Sequence, residues 1–325
     1  MDDNKEQIQL LHKLETPQLR KENASIISYH YQTEKTNPTV FHFVSIDFKS
    51  PPIRLKQSLI NHELIEGKDI YLIDRYFTEE EGESLRNFSK QAHFKTKIFA
   101  DQNSRSKGET PDRAMDPEEK WNFFLNPGPA IQELFKLLNW LADRLHADIS
   151  TLPWEMYEAD LCVPAVASNR VESKTLESME MGKHQDYDTE QGIAFGIPIL
   201  YSETSKFHFN IFFNGSEGKP WLVSAMLYST SEAFTSEYGL GTVFFDKNGK
   251  QSFCADAKHM RLVIFEGDIV HAIEQSKLLA HENIWRVSYV FKLLINPKDK
   301  NRSMKQAFTE LMNAASQQKQ GGLII

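Results

Sequence analysis

Between Trp154 and Leu294 the chain is a succession of short β-prone runs cut apart by turn residues, and no other feature limits its fold as much. Phe207, Phe209, Ile211 and Phe213 recur at a period of two, which puts them on one face of a strand. Trp221 to Tyr228, Gly241 to Phe245, Arg261 to Phe265 and Trp285 to Leu294 are further runs of strand length. Asn214-Gly215, Asn248-Gly249 and Glu266-Gly267-Asp268 separate them with turn chemistry. Many short strands without helices interleaved predict an antiparallel barrel or jelly roll. Helices flank this region, so the fold class expected is α+β.

The helices have their own signals. Thr78 with Glu81 three residues later is a capping box, predicting a helix that runs toward Ser89. After Asn126-Pro127-Gly128-Pro129, the residues Ile131, Leu134, Phe135, Leu138, Leu141 and Leu145 mark one apolar helical face. A last helix is expected from Ser303 to about Ser316, and a short one from Ile8 to Leu14. Thr39 to Val44, Ile70 to Ile73 and Trp154 to Tyr157 read as strands. Asp101 to Glu119, rich in Ser, Lys, Asp, Gly and Pro, reads as an exposed loop, either a plain connection or a lid.

Composition excludes several classes. The 325 residues carry a net charge of −8, so charge-driven attachment to nucleic acid or an anionic membrane is not expected. The only cysteines, Cys162 and Cys254, are too few for a disulfide scaffold and lie in no metal-like Cys-x-x-Cys spacing, which suits a reducing compartment. The polar start Met1-Asp2-Asp3-Asn4-Lys5-Glu6 lacks the apolar core of a signal peptide. No apolar run reaches the roughly 20 residues of a membrane span. The expected location is the cytoplasm.

Three constellations carry chemistry. In Gly182-Lys183-His184-Gln185-Asp186, residues two apart on a strand point to one side, so His184 and Asp186 can offer an imidazole and a carboxylate to one metal ion. Asp188 shares that face and is the alternative carboxylate. His146-Ala147-Asp148 repeats the spacing but follows a helix, where i and i+2 do not face each other. Downstream, His271 follows the Glu266-Gly267-Asp268 turn, where a strand end would bring a third ligand; His281 is the alternative. Arg286 then opens an otherwise apolar strand with Ser288 on its own face. A guanidinium inside a barrel is costly unless an anion meets it, and its planar fork suits a carboxylate. Lys292 is the fallback anion partner.

The order His184-x-Asp186, His271, Arg286-x-Ser288 resembles the Fe(II)/2-oxoglutarate-dependent oxygenase superfamily, nearest its prolyl-4-hydroxylase-like branch. Leu227-Tyr228-Ser229-Thr230 and Gly239-Leu240-Gly241-Thr242-Val243-Phe244-Phe245-Asp246 are similar to the family's strand and Gly-Gly-x-Thr-x-Phe segment, with one glycine displaced. Tyr71-Leu72-Ile73-Asp74 with Phe77 to Glu81 is similar to the branch's domain opening. The resemblance implies a double-stranded β-helix (jelly-roll) core over residues 69–297. Residues 1–68 would be an N-terminal extension of unread role, and 298–325 a C-terminal helix and tail. It implies Fe(II) on His184, Asp186 and His271, with 2-oxoglutarate as co-substrate and O2 as oxidant. Arg286, Ser288 and Tyr157 would stand near the co-substrate. The implied reaction decarboxylates 2-oxoglutarate to succinate while hydroxylating an aliphatic C–H of a prolyl or other amino-acid side chain, protein-bound or free. An intact Asp186 favours hydroxylation over halogenation.

Two other classes remain open from sequence. Two histidines and an aspartate also suit a zinc-dependent hydrolase, though no general base is marked by a motif. A non-catalytic jelly-roll binding module is the third reading. The segment from Asn169 to Met181, with the aromatic run at Phe207 to Phe213, would frame a substrate entrance or be a surface loop and a packed hairpin.

Overall fold

The structure is a computed structural model and describes residues 24–33, 36–46, 53–92, 94–99, 108–115, 127–151, 153–157, 161–164, 166–172, 183–188, 193–194, 197–198, 214–275, 277 and 284–317. The expected helix at Ile8 to Leu14, the run Phe207 to Phe213 and His281 lie outside these residues.

The strands in chain order are β1 (Ala24–Thr33), β2 (Thr36–Ile46), β3 (Leu59–Ile65), β4 (Lys68–Asp74), β5 (Phe94–Phe99), β6 (Gly108–Met115), β7 (Ala147–Thr151), β8 (Pro153–Tyr157), β9 (Leu161–Pro164) and β10 (Val166–Glu172). There follow β11 (Tyr187–Asp188), β12 (Ile193–Ala194), β13 (Ile197–Pro198), β14 (Trp221–Thr230), β15 (Thr242–Phe245), β16 (Gln251–Ala255), β17 (Leu262–Glu266), β18 (His271–Ile273) and β19 (Trp285–Pro297). Among the described residues three α-helices accompany them: α1 (Glu79–Gln91), α2 (Pro129–Leu145) and α3 (Met304–Gln317). The described fold is thus sheet-rich with few helices, and its strand pairs are antiparallel.

An 11-stranded sheet runs β1-β2-β7-β19-β14-β17-β4-β3, with β10 also on β19 and β6 and β5 beyond it. The long β19 has two partners end to end on one edge. Val166 to Glu172 of β10 pair with Phe291 back to Trp285, and β7 pairs from Leu293 onward. On its other edge β14 pairs along ten residues, from Trp221↔Ile295 to Thr230↔Arg286. A second sheet, β16-β15-β18, packs on the first.

Both faces of the central strands are buried, which explains why β14 and β19 read as nearly continuous apolar runs rather than alternating ones. Val223, Ala225, Leu227, Val287, Tyr289, Phe291 and Leu293 face a core shared with the apolar stripe of α2. Met226, Tyr228, Val263, Phe265 and Val290 face the opposite way, against Phe244 and Ala255 of the smaller sheet. Arg286, Ser288 and Lys292 share the strand parity of Val290. They therefore point into the space between the sheets, and all three are buried.

The helix expectations that fall within the described residues hold. Thr78 caps α1, accepting from the Glu81 amide at 3.2 Å while the Glu81 carboxylate accepts from the Thr78 amide at 2.9 Å. The expected loop at Asp101 to Glu119 is corrected over 108–115, which form β6 between β5 and β10. Pro111 concealed this strand. The β5–β6 register jumps between Thr96↔Arg113 and Ile98↔Glu109, so Pro111 falls in the irregularity, where its missing N–H leaves no rung broken. Asn169 to Glu172, expected to begin an insertion, belong to β10; residues 173–181 are not described.

β1 and β2, from the stretch where sequence showed no motif, form a hairpin that joins the large sheet where Ser45 meets Ser150 of β7.

Candidate metal centre

His184 and His271 are cross-strand partners. The His184 amide donates to the His271 carbonyl at 3.0 Å, and the His271 amide returns the bond at 2.8 Å. This reciprocal bridge brings the imidazole centroids to 4.3 Å. Asp186 is placed by a different backbone device. The amides of Asp186 and Tyr187 both donate to the carbonyl of Gly267, at 2.7 and 2.8 Å. Gly267 is the centre of the Glu266-Gly267-Asp268 turn, and the turn is pinned on both sides. Lys68 Nζ lies 3.0 Å from Asp268 Oδ2, and Lys305 Nζ lies 2.5 Å from Glu266 Oε1. The turn read in sequence as placing His271 also holds the backbone of Asp186.

The result is one donor atom each from His184, Asp186 and His271, all within 4.8 Å of one another. His184 Nε2 lies 3.8 Å from Asp186 Oδ1, and His271 Nε2 lies 3.8 Å from Asp186 Oδ2. His271 donates from Nδ1 to the Ile269 carbonyl at 2.9 Å, which leaves the lone pair of Nε2 facing the carboxylate. Burial, then the nearby His184, pull the His271 imidazole down to about 3, so it is neutral at physiological pH as a metal ligand must be. Phe265 and Phe244 wall the ring, with centroids at 4.9 and 6.0 Å.

Asp186 is fully buried. Burial by itself would raise its carboxyl; the Lys292 ammonium, then His271 and His184, outweigh that and hold it well below the usual carboxylate range. Its two oxygens are not equivalent. Oδ2 accepts from Ser224 Oγ at 2.6 Å and from Lys292 Nζ, and Lys292 Nζ also donates to Ser224 Oγ at 3.2 Å. Oδ1 has no hydrogen-bond partner. Oδ1, a buried carboxylate oxygen left without a donor 3.8 Å from His184 Nε2, is a fit for a divalent cation.

Arg286 is fully buried on β19 and donates from Nη1 to Ser288 Oγ at 2.7 Å. Its Cζ lies 5.7 Å from the centre of the Tyr228 ring, and the Tyr228 hydroxyl meets Thr242 Oγ1 at 2.6 Å. Burial pushes the Tyr228 phenol up to about 12 despite the guanidinium, so its hydroxyl stays protonated. Phe244 pairs with His271, and Thr242 is the next residue of β15 on the same face. Thr242, against the Tyr228 hydroxyl, is thus one inward row, roughly 7 Å of strand, from the partner of His271.

Of the other sequence candidates, Tyr157 ends β8 in the separate β8–β9 sheet, and its side chain is not among those described. Asp188 pairs with Ile193 through its backbone; its side chain is likewise not described. His146 caps α2 in a left-handed conformation, and the exposed Asp148 pairs with Lys298, so the repeated His-x-Asp spacing builds no joint site. Lys292, weighed in sequence as an anion partner, instead touches Asp186. Ser224, Tyr228 and Thr242 carried no site role in the sequence reading. Their places follow from the β14–β19 register and from the Tyr228–Thr242 contact, which no local sequence signal shows.

Among the described residues, no helix is long and apolar enough to cross a membrane. No family model and no curated protein matches the sequence. Among solved structures the chain is similar to a Pseudomonas putida prolyl-4-hydroxylase, at 12% identity over 67% of this chain and 85% of that one, with a TM-score of 0.31. A likeness that loose carries no argument about this chain's fold or chemistry.

Proposed function

We propose that this protein is an Fe(II)- and 2-oxoglutarate-dependent dioxygenase that hydroxylates an aliphatic C–H of a prolyl or other amino-acid side chain, protein-bound or free. The observation that carries the reading is the convergence of His184, Asp186 and His271 with one carboxylate oxygen left undonated. Two imidazoles and one carboxylate form the ligand set typical of non-haem Fe(II) oxygenases, with further metal positions open. Bound Fe(II) and 2-oxoglutarate supply the oxidative chemistry, in which O2 is consumed, the keto acid becomes succinate and CO2, and the substrate gains a hydroxyl.

The strand order supports the double-stranded β-helix reading. β10-β19-β14-β17 form one four-strand layer, and the His184 bridge, β18, β15 and β16 form the other. Metal ligands then come from one layer, the anion anchor from the other. Arg286, with Ser288, Tyr228 and Thr242 around it, is the proposed seat for the distal carboxylate of 2-oxoglutarate. The substrate class rests on the sequence resemblance, and Tyr157 keeps its proposed place near the co-substrate on that ground alone.

The test is an anaerobic titration of metal-free protein with Fe(II) and then 2-oxoglutarate, followed by the visible charge-transfer band of the chelated keto acid. Appearance of the band is expected. His184→Ala or His271→Ala should abolish metal binding, while Arg286→Ala should spare it and weaken 2-oxoglutarate by about tenfold or more. A folded, iron-loaded protein without the band would overturn the oxygenase reading and favour a zinc hydrolase or a binding module.

A further inference from the structure

The geometry points to Lys292 as an internal counter-cation that reserves one oxygen of Asp186 for the protein and leaves the other for metal. The inference rests on the metal-binding reading above. Lys292 and Ser224 are register partners on adjacent strands, both buried, and both side chains donate to Asp186 Oδ2. Oδ1, on the side of His184 Nε2, takes no hydrogen bond. A lysine is buried this deeply only against an anion, and Asp186 supplies it.

Two consequences follow from an ammonium and a metal sharing one carboxylate. Without metal, Lys292 neutralises Asp186, so the empty triad stays assembled rather than expelling a bare buried charge. With metal, the ammonium repels the incoming dication through a poorly screened interior, so affinity is lower than the three ligands alone would give. A merely structural lysine would behave differently, because removing it would lower stability and affinity together. Here the two must move in opposite directions.

The experiment measures Co(II) binding, in the absence of keto acid and oxygen, and thermal unfolding of the metal-free protein. It compares wild type with Lys292→Met and Lys292→Arg. Lys292→Met should bind Co(II) at least about tenfold more tightly yet melt lower when metal-free, with the gap in Tm closing at saturating Co(II). Lys292→Arg keeps the charge and should stay within about threefold of wild type. Equal or weaker Co(II) binding by Lys292→Met overturns the assignment. If that variant does not fold, Lys292→Gln is read in the same titration, and absence of tightening there overturns it equally. A folded wild type that binds no Co(II) removes the metal reading itself, and the lysine assignment falls with it. A wild type that binds, with neutral variants unchanged, removes the lysine assignment alone.

Discussion

Ser224 sits in a strand whose other residues are nearly all apolar, and its hydroxyl is the shorter-range neutral donor to Asp186 Oδ2, at 2.6 Å. Replacing it leaves a buried carboxylate with one donor fewer, and hydrogen bonds to charged groups are worth more than neutral ones. Ser224→Ala should therefore cost about 2 kcal/mol of unfolding free energy in chemical denaturation. A loss below about half that would mean Lys292 alone satisfies the oxygen. At this scale the sequence shows a pair of residues when a spacing of two puts them side by side. His184-x-Asp186 and Arg286-x-Ser288 were legible because side chains two apart share a strand face. The contacts of Ser224 and Lys292 with Asp186 were not, since they are set by strand pairing across long stretches of chain. The pairing of Ser224 with Lys292 depends on the β14–β19 register, which no local pattern encodes.

At the scale of elements, His259 fastens helix to sheet. Its Nδ1 accepts from the Thr230 amide at 3.2 Å, which leaves Nε2–H to donate to the Gly82 carbonyl of α1 at 3.1 Å. Burial, then the Arg86 guanidinium, pull this imidazole down to about 4 from an ordinary 6.5. Only the neutral ring can accept from Thr230. The unfolded chain thus takes up a proton at a pH where the folded one does not. The stabilisation is fully present above about 6.5 and is lost as pH falls through about 4. His259→Gln, which cannot titrate, should flatten the dependence of Tm on pH across that window. Parallel profiles for the two proteins would show that His259 is not a source of it. Elements bounded by strong local chemistry, such as the capping box of α1, were readable in advance; β6 was not, because its proline is tolerated only by an irregular register that its partner strand creates.

In the whole molecule, β19 is the common wall of two interiors, one helical and one enclosing the candidate metal centre. Phe291 is fully buried on the helical side and meets Phe135 of α2 edge-on at 5.9 Å. Phe291→Ala should cost about 3–5 kcal/mol and lower the urea midpoint with little change in slope, as for loss of a core side chain in one cooperative unit. Two separate transitions would show that the two interiors unfold independently. Sequence conveyed the class of this architecture through its turns and short strands. It could not convey that β10 and β7 divide one edge of β19, nor that the β1–β2 hairpin extends the same sheet. Burial on both faces erases the period-two signature by which a strand announces which side is inside.

The reciprocal backbone bridge between His184 and His271 also makes a clock. Each amide proton is held by the other residue's carbonyl, so neither can reach solvent unless the pair parts. In deuterated buffer the two amides should exchange with one common rate, set by a single opening of the chain, before any ion is added. Rates differing by more than about tenfold would show that the two residues open separately. A shared rate would mean that the lifetime of the ligand pair is written into the peptide backbone, and that an arriving ion finds both imidazoles already waiting.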